Sequence, residues 1–584
     1  MTDLLTSIQA ALGLSRMPIP FTGEGALPSA FAVTDLACAS IAAAGQAVAE
    51  LLQQQTGRLP AIEVDRRLAS FWFATSLRPI GWEVPPLWDP VAGDYATRDG
   101  WIRLHTNAPH HRTAAESVLG ACADRAAMAA KVAQWASADL EQAVVEAKGC
   151  AAEMRSWEQW QKHPQGLAVN AEPLAHFSDG KEESHQPWQG SVAQPLAGLK
   201  VLDLTRVLAG PTASRFLAGL GANVLRIDPP TWNEPGVVPE VTLGKRCARL
   251  DLHVPADRTV FESLLKDADI LLHGYRADAL EHLGFGVERR RQLAPGLIDV
   301  CLNAYGWSGP WQNRRGFDSL VQMSSGIAEA GQRWKQADKP TPLPVQALDH
   351  ATGYLMAASV IRLLAERLRS GRGGSARLSL ARTAKLLVEH GAGTDEALRP
   401  ENPQDQSSLV EQTPWGPAHR LQAPLNISGT PMQWALPAAE LGSHQPQWLK
   451  PYTKISVEST QRRPQHLRRI PPKRPPGLCP NRQLPRRHPH AFQHFQRPQQ
   501  PHIPGRKPVH VPQLPQGNVL RRPVANPLQR QQPRRPGGKQ QRILQRRLRH
   551  PGQGAPATFR HAQRRQISVR QNLCLRKDVS QAGH

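Results

Sequence analysis

The chain has 584 residues, long enough for two or more domains, and a formal net charge of +23. Its seven cysteines are scattered with no C-x-x-C and no metal-ligand spacing, which argues against a disulfide framework and fits a reducing cytoplasm. No uninterrupted apolar run reaches the ~18 residues of a membrane span, and no charged-then-apolar start marks a secretory signal.

In chain order, residues 32–55 read as an Ala/Leu-rich helix beginning near Asp35. A Trp/Pro-rich section (Trp82 to Asp94) and a short strand at residues 101–106 follow. Helices are then predicted over about 112–120, 123–136, 137–148 and 155–162, with Ser137 and Asp139 as N-cap signals for the third. The polar stretch from Asn170 to Gln194 reads as a linker between two lobes.

Residues 196–230 carry the densest signal. An apolar run (Leu199 to Leu204) ends in Thr-Arg-Val-Leu-Ala-Gly-Pro, a helical stretch follows (Thr212 to Leu220), and a second apolar run (Val224 to Ile227) closes it. That is a parallel βαβ unit, whose ligand crevice lies at the carboxyl ends of its strands, here Thr205 to Pro211. The turn offers only Gly210 where a dinucleotide site needs G-x-G-x-x-G, so NAD is not expected. Further buried strands are predicted at residues 269–272 and 297–302, and a long helix from about 350 to 369 follows Asp349. The alternation of strands and helices predicts an α/β fold with a doubly wound, mostly parallel sheet.

A repeat links the two ends of this body. Asp35 to Arg58 resembles Asp349 to Arg372 at a constant offset, each starting with Asp, passing through an Ala-rich helix and ending in Gly-Arg.

The charge is concentrated at the end. Residues 451–584 hold 29 Lys and Arg against 2 Asp and Glu, whereas residues 1–450 hold 42 against 46 and are slightly acidic. The tail is built of Arg, Pro, Gln, His and Leu without a sustained period, and it is expected to be disordered. A nucleic-acid or anionic-surface arm is one reading, by counterion release from phosphates. A segment translated out of frame is another, because those five residues share codons beginning with C. A folded RNA-binding module is a third, and it would lack aromatic stacking platforms.

An ordered set of motifs gives the body a family likeness. After residues 196–230 come Leu243-Gly-Lys-Arg246, Asp269-Ile-Leu-Leu-His-Gly-Tyr-Arg276 running to Glu281-His-Leu-Gly-Phe285, and Tyr305-Gly-Trp-Ser-Gly-Pro310. Arg315-Gly-Phe-Asp318, Gln322 to Gly326, Leu348-Asp-His-Ala-Thr-Gly353 and Ser370-Gly-Arg-Gly-Gly374 complete the series. In this order they resemble the class III CoA-transferases, relatives of formyl-CoA and carnitine CoA-transferases. The resemblance implies a Rossmann-like domain plus a smaller α+β domain, a cytoplasmic homodimer, and coenzyme A as the cofactor-like substrate, with no metal. The partners it implies are an acyl-CoA and a small carboxylic acid, and it implies no membrane. Nucleic acid enters as a partner only if the basic tail is genuine.

The family order is departed from. The pattern resembling the small domain, Trp82 to Gly166, precedes the sheet domain, and the aspartate helix occurs twice. The body therefore reads as a circularly permuted member divided at 1–169, a 170–195 linker, 196–450 and the 451–584 tail.

The resemblance implies an aspartate nucleophile at Asp349, with Asp35 as the rival; Asp349-His-Ala-Thr-Gly carries a glycine that Asp35-Leu-Ala-Cys-Ala lacks. A helix start there is expected to keep the carboxylate ionised. CoA contacts are implied at Val207, Leu208 and Ala209, at Lys245, Arg246 and Leu250, and at Arg276 with His282. An acyl-CoA racemase is the alternative within the superfamily, but its relatives carry His where this chain has Phe317. A catalytically inactive CoA-binding body is the other. His105, His110, His111 and His163 are read as surface residues rather than metal ligands.

Overall fold

The computed structural model describes residues 2–449 apart from 183–187, 189 and 395. The chain divides into Met1–Gln461 and Arg462–His584, and the described residues belong to the first unit. The readings of the basic tail lie outside the described residues.

The centre of the unit is a seven-stranded sheet. Its strands are β1 (His176–Glu182), β2 (Lys200–Leu204), β3 (Asn223–Asp228), β4 (Lys245–Arg249), β5 (Ile270–His273), β6 (Ile298–Asn303) and β7 (Arg372–Ser379). They run in the order β4-β3-β2-β5-β6-β7-β1, all parallel except β1, which pairs antiparallel with β7. The expected linker therefore supplies an edge strand. Alternate residues face opposite cores: Val201, Ile270, Leu272 and Val300 one way, Leu202, Leu225 and Leu271 the other. Burial on both faces explains why these strands read as continuous apolar runs. The order reverses between β2 and β5, and such a switch point leaves a crevice at the carboxyl ends of the two strands.

Four helices position the site: α1 (Val33–Thr56), α2 (Pro109–Leu119), α3 (Ala209–Gly219) and α4 (Ala347–Ser370). The twin helices α1 and α4 pack against each other in one apolar core that includes Leu36, Ile41, Leu355 and Ile361. Both are 24 residues long and both carry their aspartate at the third position. They begin from nearly identical backbone torsions (Ala32 φ −73°, ψ 62°; Gln346 φ −75°, ψ 64°) and end on left-handed glycines, Gly57 and Gly371. The sequence repeat is thus a structural repeat. By length and composition α1 could cross a membrane, but here its sides are buried in that core.

Residues before α1 join the same core through Leu4, Ile8 and Leu12 of the helix Thr2–Leu12, which the sequence reading did not anticipate. The body of the sheet domain therefore extends to the start of the chain, and no division near residue 170 separates the cores. What stands apart is a small α+β lobe. Its antiparallel sheet joins Gly93–Ala96, Trp101–Leu104 and Ala151–Glu153, and its core is built on Ile102, Met128, Leu140 and Val144. The helix Ser137–Glu146 begins on Ala136 rather than Ser137; Ser137 is its first residue, and its N–H and Oγ donate to Asp99.

Glu240 ties three distant segments together. It accepts from the amides of Ser76 and Leu77 and pairs with Arg215 and Arg420. Burial alone would raise its pKa, but the two guanidiniums hold it down at about 2.

Candidate active site

A cavity of about 300 Å³ opens at the switch point. The carboxyl ends of β2, β5 and β6 form its floor through Leu204, Gly274 and Asn303, and Asp349 of α4 reaches it from the side. Two geometric requirements bring these parts together. A Cβ on Gly353 would lie 2.3 Å from the carbonyl oxygen of Ala209, so only glycine lets α4 cross the start of α3 this closely. A Cβ on Gly210 would lie 2.2 Å from the Thr205 side chain, which fixes the turn after β2.

That turn is strained. Val207 has φ of 65°, a left-handed conformation that costs a β-branched residue about 1–3 kcal/mol. Its N–H donates to Glu234 Oε2 at 3.0 Å, and Glu234 is itself held by Arg226. Strain maintained by a buried ion-pair network is a mark of a functional edge.

Asp349 is 7% exposed. It lies inside the first turn of α4, with Gln346 rather than the aspartate at the N-cap. Asp318 sits beneath it. The backbone N–H of Asp349 donates to Asp318 Oδ2 at 2.9 Å, and the Leu348 amide and Gln322 also serve Asp318. The amides at the helix start are therefore spent on Asp318. Burial, and then the nearby Asp318 charge, push the Asp349 carboxyl well above the usual carboxylate range. The expectation that the helix start keeps this group ionised is corrected: desolvation and a like charge outweigh the dipole.

Asp35 occupies the same place on the twin helix but has different surroundings. Arg66 pairs with it at 2.9 Å and His390 approaches to 3.8 Å. It does not line the cavity.

The implied CoA contacts separate into two groups. Val207, Ala209 and Arg276 line the cavity, and Leu208 is the cap between Val207 and α3. Lys245 is fully buried and turned inward, donating to Asp203, Ser214 and the Pro211 carbonyl. Burial lowers its pKa to about 8 against the attraction of Asp203. Its place facing phosphate is therefore corrected to a core ion pair behind the turn. Arg246 donates to the carbonyls of Gln445 and Gln447, Leu250 is buried in the core on the far face of the sheet, and His282 is exposed beside Asp278. None of these four lines the cavity.

The histidines also need correction. His105 and His111 are buried, at 5% and 4% exposure, and His110 and His111, in the first turn of α2, line the cavity. The His105 ring stacks on Phe317 (3.7 Å between centroids, 1° between planes), and His111 meets Phe317 edge-on at 5.8 Å. Burial drives both rings toward the neutral form, to pKa values of about 3; for His105 the next cause is His111, and for His111 it is His110 and Arg315. His163 is half-buried against Trp160 and Trp311. Among the described residues no group of three metal-ligating side chains converges.

Sequence reasoning missed that the small lobe enters the site. The signal available was Pro109-His110-His111 at a helix start, but only tertiary contact carries it to Phe317. Arg206, Arg314 and Arg315 complete a cationic wall, with Arg206 held over the Trp232 and Tyr275 rings at 4.6 and 4.9 Å.

A buried carboxylate thus lines a cation-walled cavity at the switch point of a parallel sheet, the place where open α/β sheets bind their ligands. Residues 196–415 match the profile of CoA-transferase family III. The chain is 33% identical over 217 residues to the acetyl-coenzyme A transferase nodX of Hypoxylon pulicicidum, a match covering 36% of this chain and 35% of that protein. It is 30% identical over 193 residues to the succinyl-CoA:glutarate CoA-transferase of Mus musculus, covering 31% and 44%. The crystal structure of the hypothetical protein Rv3272 from Mycobacterium tuberculosis is matched at 30% identity and a TM-score of 0.30, over 34% of this chain and 56% of that one. The chain thus spans less than half the length of these curated relatives.

Proposed function

We propose that the protein moves coenzyme A from an acyl-CoA thioester to a carboxylic acid, with Asp349 as the nucleophile. The observation that carries this reading is the Asp349 carboxyl in the cavity at the strand ends, inside the segment that matches CoA-transferase family III. The relatives named above carry out acyl-CoA chemistry by name, which supports the same class.

The steps need one carboxylate used twice. An ionised Asp349 oxygen attacks the thioester carbonyl; the C–S bond breaks, leaving an aspartyl anhydride and the CoA thiolate. The thiolate attacks the Asp349 carbonyl of the anhydride, forming an aspartyl-CoA thioester and releasing the first acid as its carboxylate. The acceptor carboxylate attacks this thioester, and the sequence reverses to give the new acyl-CoA and free Asp349. Splitting one exchange into two covalent halves is the gain. A poorly solvated Asp349 is a stronger nucleophile once ionised, and Phe317 and the buried histidines help to keep bulk water away.

In this reading Val207, Leu208, Ala209 and Arg276 border the CoA chain, and Arg206 offers its guanidinium to a phosphate. The sheet is Rossmann-like in strand order. A homodimer in a reducing cytoplasm belongs to the same reading, with the buried, unpaired cysteines Cys38, Cys122, Cys150, Cys247 and Cys301 in its support. A second reading, proton exchange beside the thioester carbonyl, draws on one observation, the neutral His111 ring in the same cavity. Deuterium uptake from D2O into an acyl-CoA distinguishes it.

The test is trapping during turnover with acyl-CoA. Hydroxylamine or borohydride is expected to change the mass of the peptide bearing Asp349 and to leave the Asp35 peptide unchanged. Silence at both positions overturns the mechanism.

A further inference from the structure

We propose that a second cavity, on the face of the sheet turned away from Asp349, binds a hydrogen phosphate group. The site is independent of the CoA-transfer reading, and its failure would leave that reading untouched.

The strands put polar side chains where a parallel sheet is ordinarily apolar. Leu272 of β5, Val300 of β6 and Ala376 of β7 face the core that holds α4. Side chains alternate along a strand, so His273, Asp299, Cys301 and Arg377 face the other way. The register sets His273, Cys301 and Arg377 side by side across three strands, with Asp299 opposite Ser375 two residues earlier. A cavity of about 230 Å³ opens over them beside the helix Val287–Leu293, and it shares no lining residue with the cavity at the strand ends.

The floor of this cavity is incomplete. Both ring nitrogens of His273 and Oδ1 of Asp299 are buried and have no hydrogen-bond partner among the described residues. His273 is 6% exposed; its Nε2 lies 3.3 Å from Asp299 Oδ1, but without the alignment of a hydrogen bond. Buried polar atoms in this condition are costly unless a ligand or water supplies the partner. Asp299 Oδ2 is already engaged, accepting from Arg290 Nε at 2.8 Å. Burial alone would raise the Asp299 pKa, but Arg290 and then His273 hold it at about 2, so Oδ1 is an ionised acceptor. Burial lowers the His273 pKa against the pull of Asp299, and the neutral ring keeps one bare nitrogen.

The rim has the opposite character. Arg291 and Arg377 are exposed there, with the Arg377 guanidinium 5.4 Å from the centroid of the Trp307 ring. Arg290 already neutralises Asp299, so the two rim guanidiniums outnumber Glu281, the remaining acidic residue of the lining.

A ligand that satisfies both parts must be anionic for the rim and must carry a hydrogen for the floor. Hydrogen phosphate does both: its charged oxygens accept from the guanidiniums, and its P–O–H donates to Asp299 Oδ1 or to the bare nitrogen of His273. Sulfate has a similar size and shape but no hydrogen to give at neutral pH. A phosphate monoester loses its last proton near pH 6, so at pH 7.5 the free ion fits the floor better.

The test is calorimetric titration of the full chain with inorganic phosphate and with sulfate, at pH 7.5 and constant ionic strength. Phosphate is expected to bind at least about tenfold more tightly than sulfate, because a site built to accept a hydrogen rejects the ion that lacks one. Arg377→Gln should weaken phosphate about tenfold, and Asp299→Asn, whose amide can donate to sulfate, should bring the ratio of affinities close to one. Circular dichroism checks folding; if Asp299→Asn fails to fold, the exposed Arg377→Gln and the phosphate-to-sulfate ratio of the parent chain still decide. Methyl phosphate distinguishes the sources: weaker binding than inorganic phosphate supports the free ion, and equal binding supports the terminal group of a small ester. No phosphate binding, or equal affinity for the two ions in the parent chain, overturns the site. Phosphate binding lost in Arg206→Gln and kept in Arg377→Gln assigns the ion to the cavity at the strand ends and overturns it as well.

Discussion

The twin helices α1 and α4 share length, caps and an aspartate at the third position, yet their two carboxylates have opposite fates. Asp35 is neutralised by Arg66 and approached by His390. Asp349 faces a cavity above a second carboxylate, and among the described residues no cation lowers its pKa. Identical backbone geometry therefore does not make a nucleophile. What differs is the company each carboxylate keeps: a cation makes a stable pair, whereas a buried like charge makes a group held at an energetic cost.

The largest expected effect breaks the comparison at its centre. Asp349→Asn is expected to lower CoA transfer by about 10³-fold or more, because the covalent route is lost, whereas Asp35→Asn should stay within about threefold. The stabilities should move in opposite directions. The folded-state pKa of Asp349 is raised, so its ionised form opposes folding at neutral pH, and stability is gained as pH falls through the folded value. Asp349→Asn should therefore raise the midpoint of thermal unfolding at pH 7, while Asp35→Asn, which deprives Arg66 of its partner, should lower it. Equal shifts of the same sign would break the contrast.

The next effect concerns the crossing of α4 over α3. Gly353 corresponds to Ala39 in the repeat, and a Cβ at the α4 position would meet the Ala209 carbonyl oxygen. Gly353→Ala is expected to destabilise by about 2–3 kcal/mol and to displace Asp349, because the obstructing atom is backbone and cannot rotate away. Ala39→Gly should cost only about 1 kcal/mol, by added chain entropy. Denaturant unfolding of both variants gives the ranking.

Much of this was legible in the residues. The βαβ unit, the later strands and the long Asp349 helix lie within a few residues of their expected limits, because parallel strands and buried helices leave continuous apolar signals. The repeat from Asp35 to Arg58 also carried real information, since its two copies pack together. What stayed hidden depends on tertiary contact. Lys245 reads as a phosphate-binding cation until Asp203 is found behind it. His111 reads as a surface residue until the small lobe folds onto Phe317. The edge strand His176–Glu182 is half-polar, and the polarity that marks a solvent-facing edge is the same polarity that marks a linker.

Arg66→Met sharpens the comparison from the other side. It removes the cation from Asp35 and should cost about 2 kcal/mol, as expected when one partner of a largely buried pair is lost. It should not create activity at Asp35, because that carboxylate does not line the cavity at the strand ends; hydroxylamine trapping at the Asp35 peptide checks this.

The smallest effect isolates Asp318. Desolvation dominates the upward shift of Asp349, and the charge of Asp318 adds to it. Asp318→Asn keeps an oxygen to accept the Asp349 amide but removes that charge. The Asp349 pKa should fall, though not to that of a solvated carboxylate, because burial remains. Since in the proposed mechanism the ionised form attacks the thioester, the acid limb of kcat/KM should move to lower pH, by about one unit. An acid limb that does not move would mean that burial alone sets the acidity of Asp349, and Asp318 would then act only as the acceptor that fixes the first turn of α4.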